Sequence, residues 1–297
     1  MIRMVLLACA IAARAASSSV PGLELWTGRE TLARDLEWDY PEVEPFDRAV
    51  LSWNATGPAT FVLEVDGRRH VMGRWGASPR SETTSFVDED TLKLPSTATA
   101  FKIRVLASPG TQVTLLAVTH WRHGAAQPLA PVSAEAKGKV ISGVPHFVQR
   151  DQKTCSPTSV AMVLRYYGVA TTPDLAAAGV QDHAPDASEV FGNWPFNTAY
   201  AHKASGGKLA SYVRRMSALE ELERQVAGGR PTIISYKPHG PAGQGHLVVV
   251  LGFTAAGDVV VNDPGRQDGA SRVVPRAQFY KAWLKDANGV AYLIGPA

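Results

Sequence analysis

The chain has 297 residues, of which 45% are hydrophobic and 19% charged, and its formal net charge is +3. The length fits one large domain or two ordinary ones, with two favoured. The balance is that of a soluble globular protein; it excludes a disordered or nucleic-acid-coating chain, and the charge points to no partner.

Residues 1–16 read as a signal peptide. Arg3 precedes an apolar stretch and then small residues, with cleavage near Ala15 or Ala16. The expectation is a secreted or extracytoplasmic protein. "LLAC", Leu6 to Cys9, also resembles a bacterial lipobox, which would instead anchor the protein by a lipid on Cys9. Beyond it no segment approaches the roughly 20 apolar residues that span a bilayer. With Cys9 gone from the folded domain, Cys155 is an exported thiol without an intramolecular disulfide partner.

Residues 22–122 read as a β-sandwich-like module. In "TFVLEVDGRRHVMGRW", Phe61, Leu63 and Val65 alternate before an Asp66-Gly67 turn, and "AFKIRVLA" and "QVTLLAVTHW" repeat the pattern. "LPSTA", Leu94 to Ala98, reads as a loop, and "DED", Asp88 to Asp90, as an acidic turn rather than a calcium site. Residues 123–139, rich in Ala and Pro, read as a linker.

From residue 140 onward helices and strands mix in an α+β order. "CSPTSVAMVLRYYG" predicts a helix that starts at or just after Cys155 and stops at Gly168. "SALEELERQVAGG" predicts a second, with Ser217 as N-cap and Glu220 closing a capping box. "HLVVVLGF", a turn at "TAAG" and "DVVVND" predict an antiparallel hairpin, "RAQFYKAWL" a short helix and "GVAYLI" a last strand. "GNWPFNTAYA" reads as an aromatic-dense loop, in which Trp194, Phe196 and Tyr200 either line a substrate cleft or are buried.

A thiol attacks a carbonyl only as thiolate, so a catalytic cysteine needs stabilised negative charge and a base in reach. A helix start offers the first, through free N–H groups and the helix dipole. Of eight histidines, His246 opens the hairpin whose return strand ends in Asp263, within one diagonal step. That pairing makes His246 the candidate base and Asp263 the group that orients it. Gln149 is the candidate oxyanion donor beside the Cys155 N–H, with Gln152 as rival.

Gln149, then Cys155 six positions on, then "GHLVVVLGF" and "VVVNDP", together resemble the bacteriocin-processing, C-thirty-nine-like group of papain-like cysteine peptidases. The resemblance covers residues 140–297. It implies a papain-like α+β fold, with the cysteine helix packed on an antiparallel sheet. It also implies Cys155 as nucleophile, His246 as base and then acid, Asp263 as orienter and Gln149 in the oxyanion hole, with no metal or cofactor. Ser156 follows the cysteine where the family would place glycine. The arrangement of signal, β module and peptidase domain resembles the stand-alone exported bacterial members.

The expected function is therefore hydrolysis of a peptide or protein substrate, at the cell surface as one setting, through an acyl-enzyme. Two alternatives stay open. One is cell-wall amide cleavage or transglutaminase-like acyl transfer on the same scaffold. The other is a non-catalytic surface or glycan-binding protein with a spent peptidase domain.

Overall fold

The computed structural model describes residues 20–31, 35–124, 128–185, 189–240, 242, 245–269 and 271–297. The expected signal sequence and cleavage site, and Cys9, lie outside the described residues. Among those described, no helix is long and apolar enough to cross a membrane.

The first strands are β1 (Leu23–Thr31), β2 (Leu36–Tyr40), β3 (Phe46–Ala55), β4 (Ala59–Val65) and β5 (Arg68–Trp75). They are followed by β6 (Val87–Asp88), β7 (Thr91–Ala98), β8 (Phe101–Ala107) and β9 (Gln112–Trp121). They form two antiparallel sheets, ordered β1-β9-β3-β7-β6 and β2-β8-β4-β5. Alternation puts Phe61, Leu63, Ile103, Val105, Leu51 and Trp53 between the sheets, where all are fully buried. The Asp66-Gly67 turn does join β4 to β5, both residues in left-handed backbone. The loop expected at "LPSTA" is a strand instead. Leu94 to Ala98 belong to β7, whose Lys93 and Ala98 pair with β3 on either side of a register shift, and Pro95, a residue with no N–H to give the ladder, lies within that unpaired stretch.

The remainder comprises α1 (Cys155–Tyr166), α2 (Pro173–Val180), α3 (Trp194–Ala204), β10 (Leu209–Arg215), α4 (Leu219–Ala227) and β11 (Thr232–Tyr236). Then come β12 (His246–Phe253), β13 (Val259–Asn262), β14 (Arg272–Val274), α5 (Arg276–Tyr280), a π-helical turn at Lys281–Lys285, and β15 (Val290–Pro296). One antiparallel sheet, ordered β10-β15-β11-β12-β13-β14, carries α1 on one face. This is the α+β arrangement the sequence predicts.

Three local expectations need correction. The N-cap of α4 is Ala218, not Ser217; Ser217 instead donates from its N–H and hydroxyl to Glu221, at 2.7 and 3.2 Å, so Glu221 rather than Glu220 reaches back. The box sits one residue later because Leu219 must turn inward at the first helical position, where it is 2% exposed. The aromatic segment is no loop: Asn193 caps α3 by accepting from the Phe196 N–H, and Pro195 fits the first turn. Residues 128–139 are no free tether either. Arg276 donates to Ala130 O and Glu223, Glu223 accepts from the Ser133 N–H, and Ala136 is fully buried.

Just beyond, Lys139 and Ile141 bracket Gly252 on β12, through Phe253 N–H to Lys139 O and Ile141 N–H to Leu251 O, both 2.8 Å. A Cβ at Gly252 would collide with the Lys139 carbonyl and the Val140 backbone. Gly252→Ala is thus expected to cost about 1–3 kcal/mol. The loss should appear as a lower urea midpoint and faster proteolysis between residues 139 and 149; an unchanged midpoint would contradict this close packing.

Candidate active site

Cys155 is the first residue of α1 and is 6% exposed. Its N–H and those of the next residues have no acceptor within the helix, so the thiol faces the positive end of the dipole. Two hydroxyls hold this end against the sheet. Ser156 Oγ lies 2.9 Å from the Tyr292 hydroxyl on β15, and Ser159 Oγ donates to Leu247 O on β12 at 3.2 Å. Ser156 thus occupies its position as a buried tether.

His246 opens β12, paired with Tyr236 on β11. The β12–β13 hairpin turns at Thr254–Gly257, where Gly257 N–H donates to Thr254 O at 2.9 Å. Val249 faces Asn262, so continuing the register puts Asp263 opposite Val248, two residues along from His246. The diagonal closes: His246 Nε2 is 2.6 Å from Asp263 Oδ1. Nδ1 makes no bond to Asp263, and Cys155 together with Asp263 favours the protonated imidazole.

Asp263 is held from several sides. Oδ1 also accepts from Gly265 N–H at 2.9 Å, and Oδ2 from Arg272 at 3.3 Å. Burial opposes ionisation of Asp263, but the hydrogen bond and charge of His246, the Gly265 N–H and Arg272 together keep its pKa below the usual carboxylate value. For His246, burial pulls the pKa down; hydrogen bonds to Asp263 and Cys155 outweigh it and raise it from 6.5 to about 9.

Gln149 lies beside this group. Its N–H donates to Pro264 O at 2.8 Å, which aligns the segment before Cys155 with the one after Asp263. Its side-chain amide donates to Asp151 O at 2.7 Å, which occupies one of two amide hydrogens. The aromatic trio does not form a cleft. Phe196 is fully buried beside Trp53 and Trp75, both with ring centroids 6.2 Å away, and Tyr200 bonds the Thr171 hydroxyl at 3.1 Å. Trp194 lines an open cavity, and Tyr200 is likewise only partly buried.

Two site residues escape the sequence reading. Arg272, on β14, supports Asp263, and His146 Nε2 lies 2.9 Å from Asp263 O. Neither carries a local signal: Arg272 arrives after an irregular connection, and His146 sits in an extended segment without periodicity. Among the described residues, no three of His, Cys, Asp and Glu gather as a metal site.

The model of the Peptidase_C39 like family matches residues 141–290. Among solved structures, the chain is similar to a double glycine motif protease from an AMS/PCAT transporter, crystallised with its leader peptide. The two are 23% identical, over 57% of this chain and 100% of that one, with a TM-score of 0.39. It is also similar to the peptidase domain of Streptococcus ComA, a bifunctional ABC transporter, with 16% identity over 52% of this chain and 100% of that one and a TM-score of 0.37. No curated protein matches the chain.

Proposed function

Because the chain belongs to the Peptidase_C39 like family, we propose that it is an exported cysteine peptidase working through Cys155, His246 and Asp263. The observation that carries this reading is the 2.6 Å hydrogen bond between the His246 imidazole and the buried Asp263 carboxylate, with Cys155 at a helix start favouring the protonated ring. Export rests on the signal-like residues 1–16.

In this reading an imidazolium that keeps its proton to about pH 9 supplies the counter-charge for a Cys155 thiolate. The thiolate sulfur attacks the peptide carbonyl carbon, and the oxygen gains the negative charge. The free helix-start N–H of Cys155 and the second amide hydrogen of Gln149 are the donors that receive it. Collapse breaks the C–N bond, and the leaving amine takes the His246 proton. The neutral ring then takes a proton from water, whose oxygen attacks the thioester and frees the carboxylic acid and the thiolate. Asp263 holds the ring in one tautomer throughout.

An epoxysuccinyl peptide probe tests the nucleophile: one adduct, mapped by mass spectrometry to Cys155, is expected. Its absence would refute the assignment. The rate of peptide hydrolysis should fall on the basic side near pH 9, where the general acid loses its proton. Asp263→Ala removes the strongest support for the imidazolium, so that limb should move down toward the ordinary value of 6.5 and turnover drop on the order of 10²-fold. The same shift has a sign for stability. The folded ring holds its proton more tightly than an unfolded one, so the stabilisation is complete below about pH 6.5 and disappears as pH rises through about 9.

A further inference from the structure

The active-site end of the six-stranded sheet can be followed outward from His246. His246 pairs with Tyr236 at the end of β11, while Tyr292 pairs with Ile233 and Val213. The start of β12, the end of β11, the start of β15 and the end of β10 therefore share one end of the sheet. β15 lies two strands from β12, or about 10 Å. Immediately before β15, Asn288 lines a cavity of about 460 Å³. Its other walls come from Arg48, the Asp88–Lys93 turn, Trp121 and His123 on the N-terminal side and from Trp194 at the start of α3.

The charges of this cavity do not cancel internally. Lys93 is paired with Asp88, and Arg48 is drawn to Asp47 outside the lining, at 3.5 Å. Asp90 is buried and accepts from Trp194 N–H at 2.7 Å and the Thr91 hydroxyl at 2.9 Å. Glu89, at the exposed tip of the turn, has no hydrogen-bond or ion-pair partner among the described residues. Burial raises the pKa of Asp90 to about 7.

A second observation is independent of the carboxylates. Trp121 lines the cavity, is only 6% exposed, and its indole Nε1–H has no acceptor among the described residues. A peptide supplies what is missing: a backbone carbonyl for the indole, methylenes to lie along Trp121 and Trp194, and a cation for Glu89. The cavity is also close to the nucleophile. Tyr292 on β15, four residues after Asn288, bonds through its hydroxyl to Ser156, the residue that follows Cys155.

The geometry points to a specificity pocket for a lysine or arginine side chain of the substrate, built jointly by the Asp88–Asp90 turn and the two tryptophans. This inference rests on the peptidase reading, so its test separates the two. Cys155→Ala protein is titrated, by fluorescence anisotropy, with a peptide set in which each position in turn is lysine, arginine, glutamate or norleucine. At one position lysine and arginine are expected to bind at least 10-fold tighter than norleucine. Glu89→Gln should abolish that preference and Glu89→Lys should turn it toward glutamate, while Glu82→Gln, in an ion pair with Arg74, should retain it.

Equal binding of lysine and norleucine peptides, no binding at millimolar peptide, or a preference that survives Glu89→Gln overturns the pocket. So does Glu89-dependent binding of chito-oligosaccharides in place of peptides. Probe labelling of Cys155 in the unmodified protein is read separately. Labelling without basic preference sinks only the pocket; Glu89-dependent basic preference without labelling sinks only the nucleophile.

Discussion

Replacing His246 by alanine is expected to slow alkylation of Cys155 by iodoacetamide at pH 6 about 100-fold or more, and to reduce peptide hydrolysis about 10³-fold or more. Two effects compete to make the thiol reactive. The helix start contributes about 0.3–1 kcal/mol of charge stabilisation, or less than tenfold. A protonated imidazole within hydrogen-bond reach contributes more, because it is a full charge and its ring cannot swing away: Nε2 is fixed on Asp263 at 2.6 Å. At pH 6 the ring is protonated by a wide margin, so the comparison reports its charge directly. If His246→Ala changed alkylation less than threefold, the helix start alone would account for the thiol and the proposed base would be wrong. Gly265 N–H and Arg272 still hold Asp263 in the variant, so the fold should survive, which far-ultraviolet circular dichroism checks.

What was legible in the sequence is what short-range pattern determines. A proline two residues after Cys155 and a glycine after Tyr167 mark both ends of α1. A four-residue turn between two valine-rich runs brings His246 and Asp263 together whatever the rest of the chain does. Helix α3 was not legible because it lacks a polar face. Asn197, Thr198 and His202 are all buried and hydrogen-bond to Phe191 O, Pro195 O and Leu209 O, so no 3.6-residue alternation remains to be read. Arg272 was hidden for another reason: its approach to Asp263 depends on the β13–β14 pairing across a connection without pattern. The Ala- and Pro-rich segment has a linker's composition, yet Ala136 is small enough to enter the core beside the sheet.

Asn54→Ala is expected to lower stability by about 2–5 kcal/mol, because it orphans two buried backbone groups at about 1–3 kcal/mol each. The reason lies in the sheet order. Strand β10 is an edge strand, hydrogen-bonded on one side to β15. Its other side presents the N–H groups of Ser211, Val213 and Arg215, an invitation to aggregation if left open. Each meets a side chain from the N-terminal sheets: Asn54 Oδ1 at 3.0 Å, Ser52 Oγ at 3.1 Å and Thr119 Oγ1 at 2.8 Å. Asn54 also donates to Ser211 O at 2.6 Å, so its amide stands in for a neighbouring peptide group. Ser211→Ala is the discriminating control. The Ser211 hydroxyl is buried without a partner among the described residues while its backbone is used, so its loss should be neutral or slightly stabilising. Urea unfolding of both variants measures the difference; equal losses would mean general packing rather than edge capping. The same argument extends to whole modules. A chain lacking residues 22–122 exposes this edge together with the apolar surface that Val50 and Trp121 cover, and is expected to aggregate on refolding at micromolar concentration, as light scattering would record. The N-terminal sheets are thereby a structural requirement of the strand that completes the peptidase sheet, whatever else they bind.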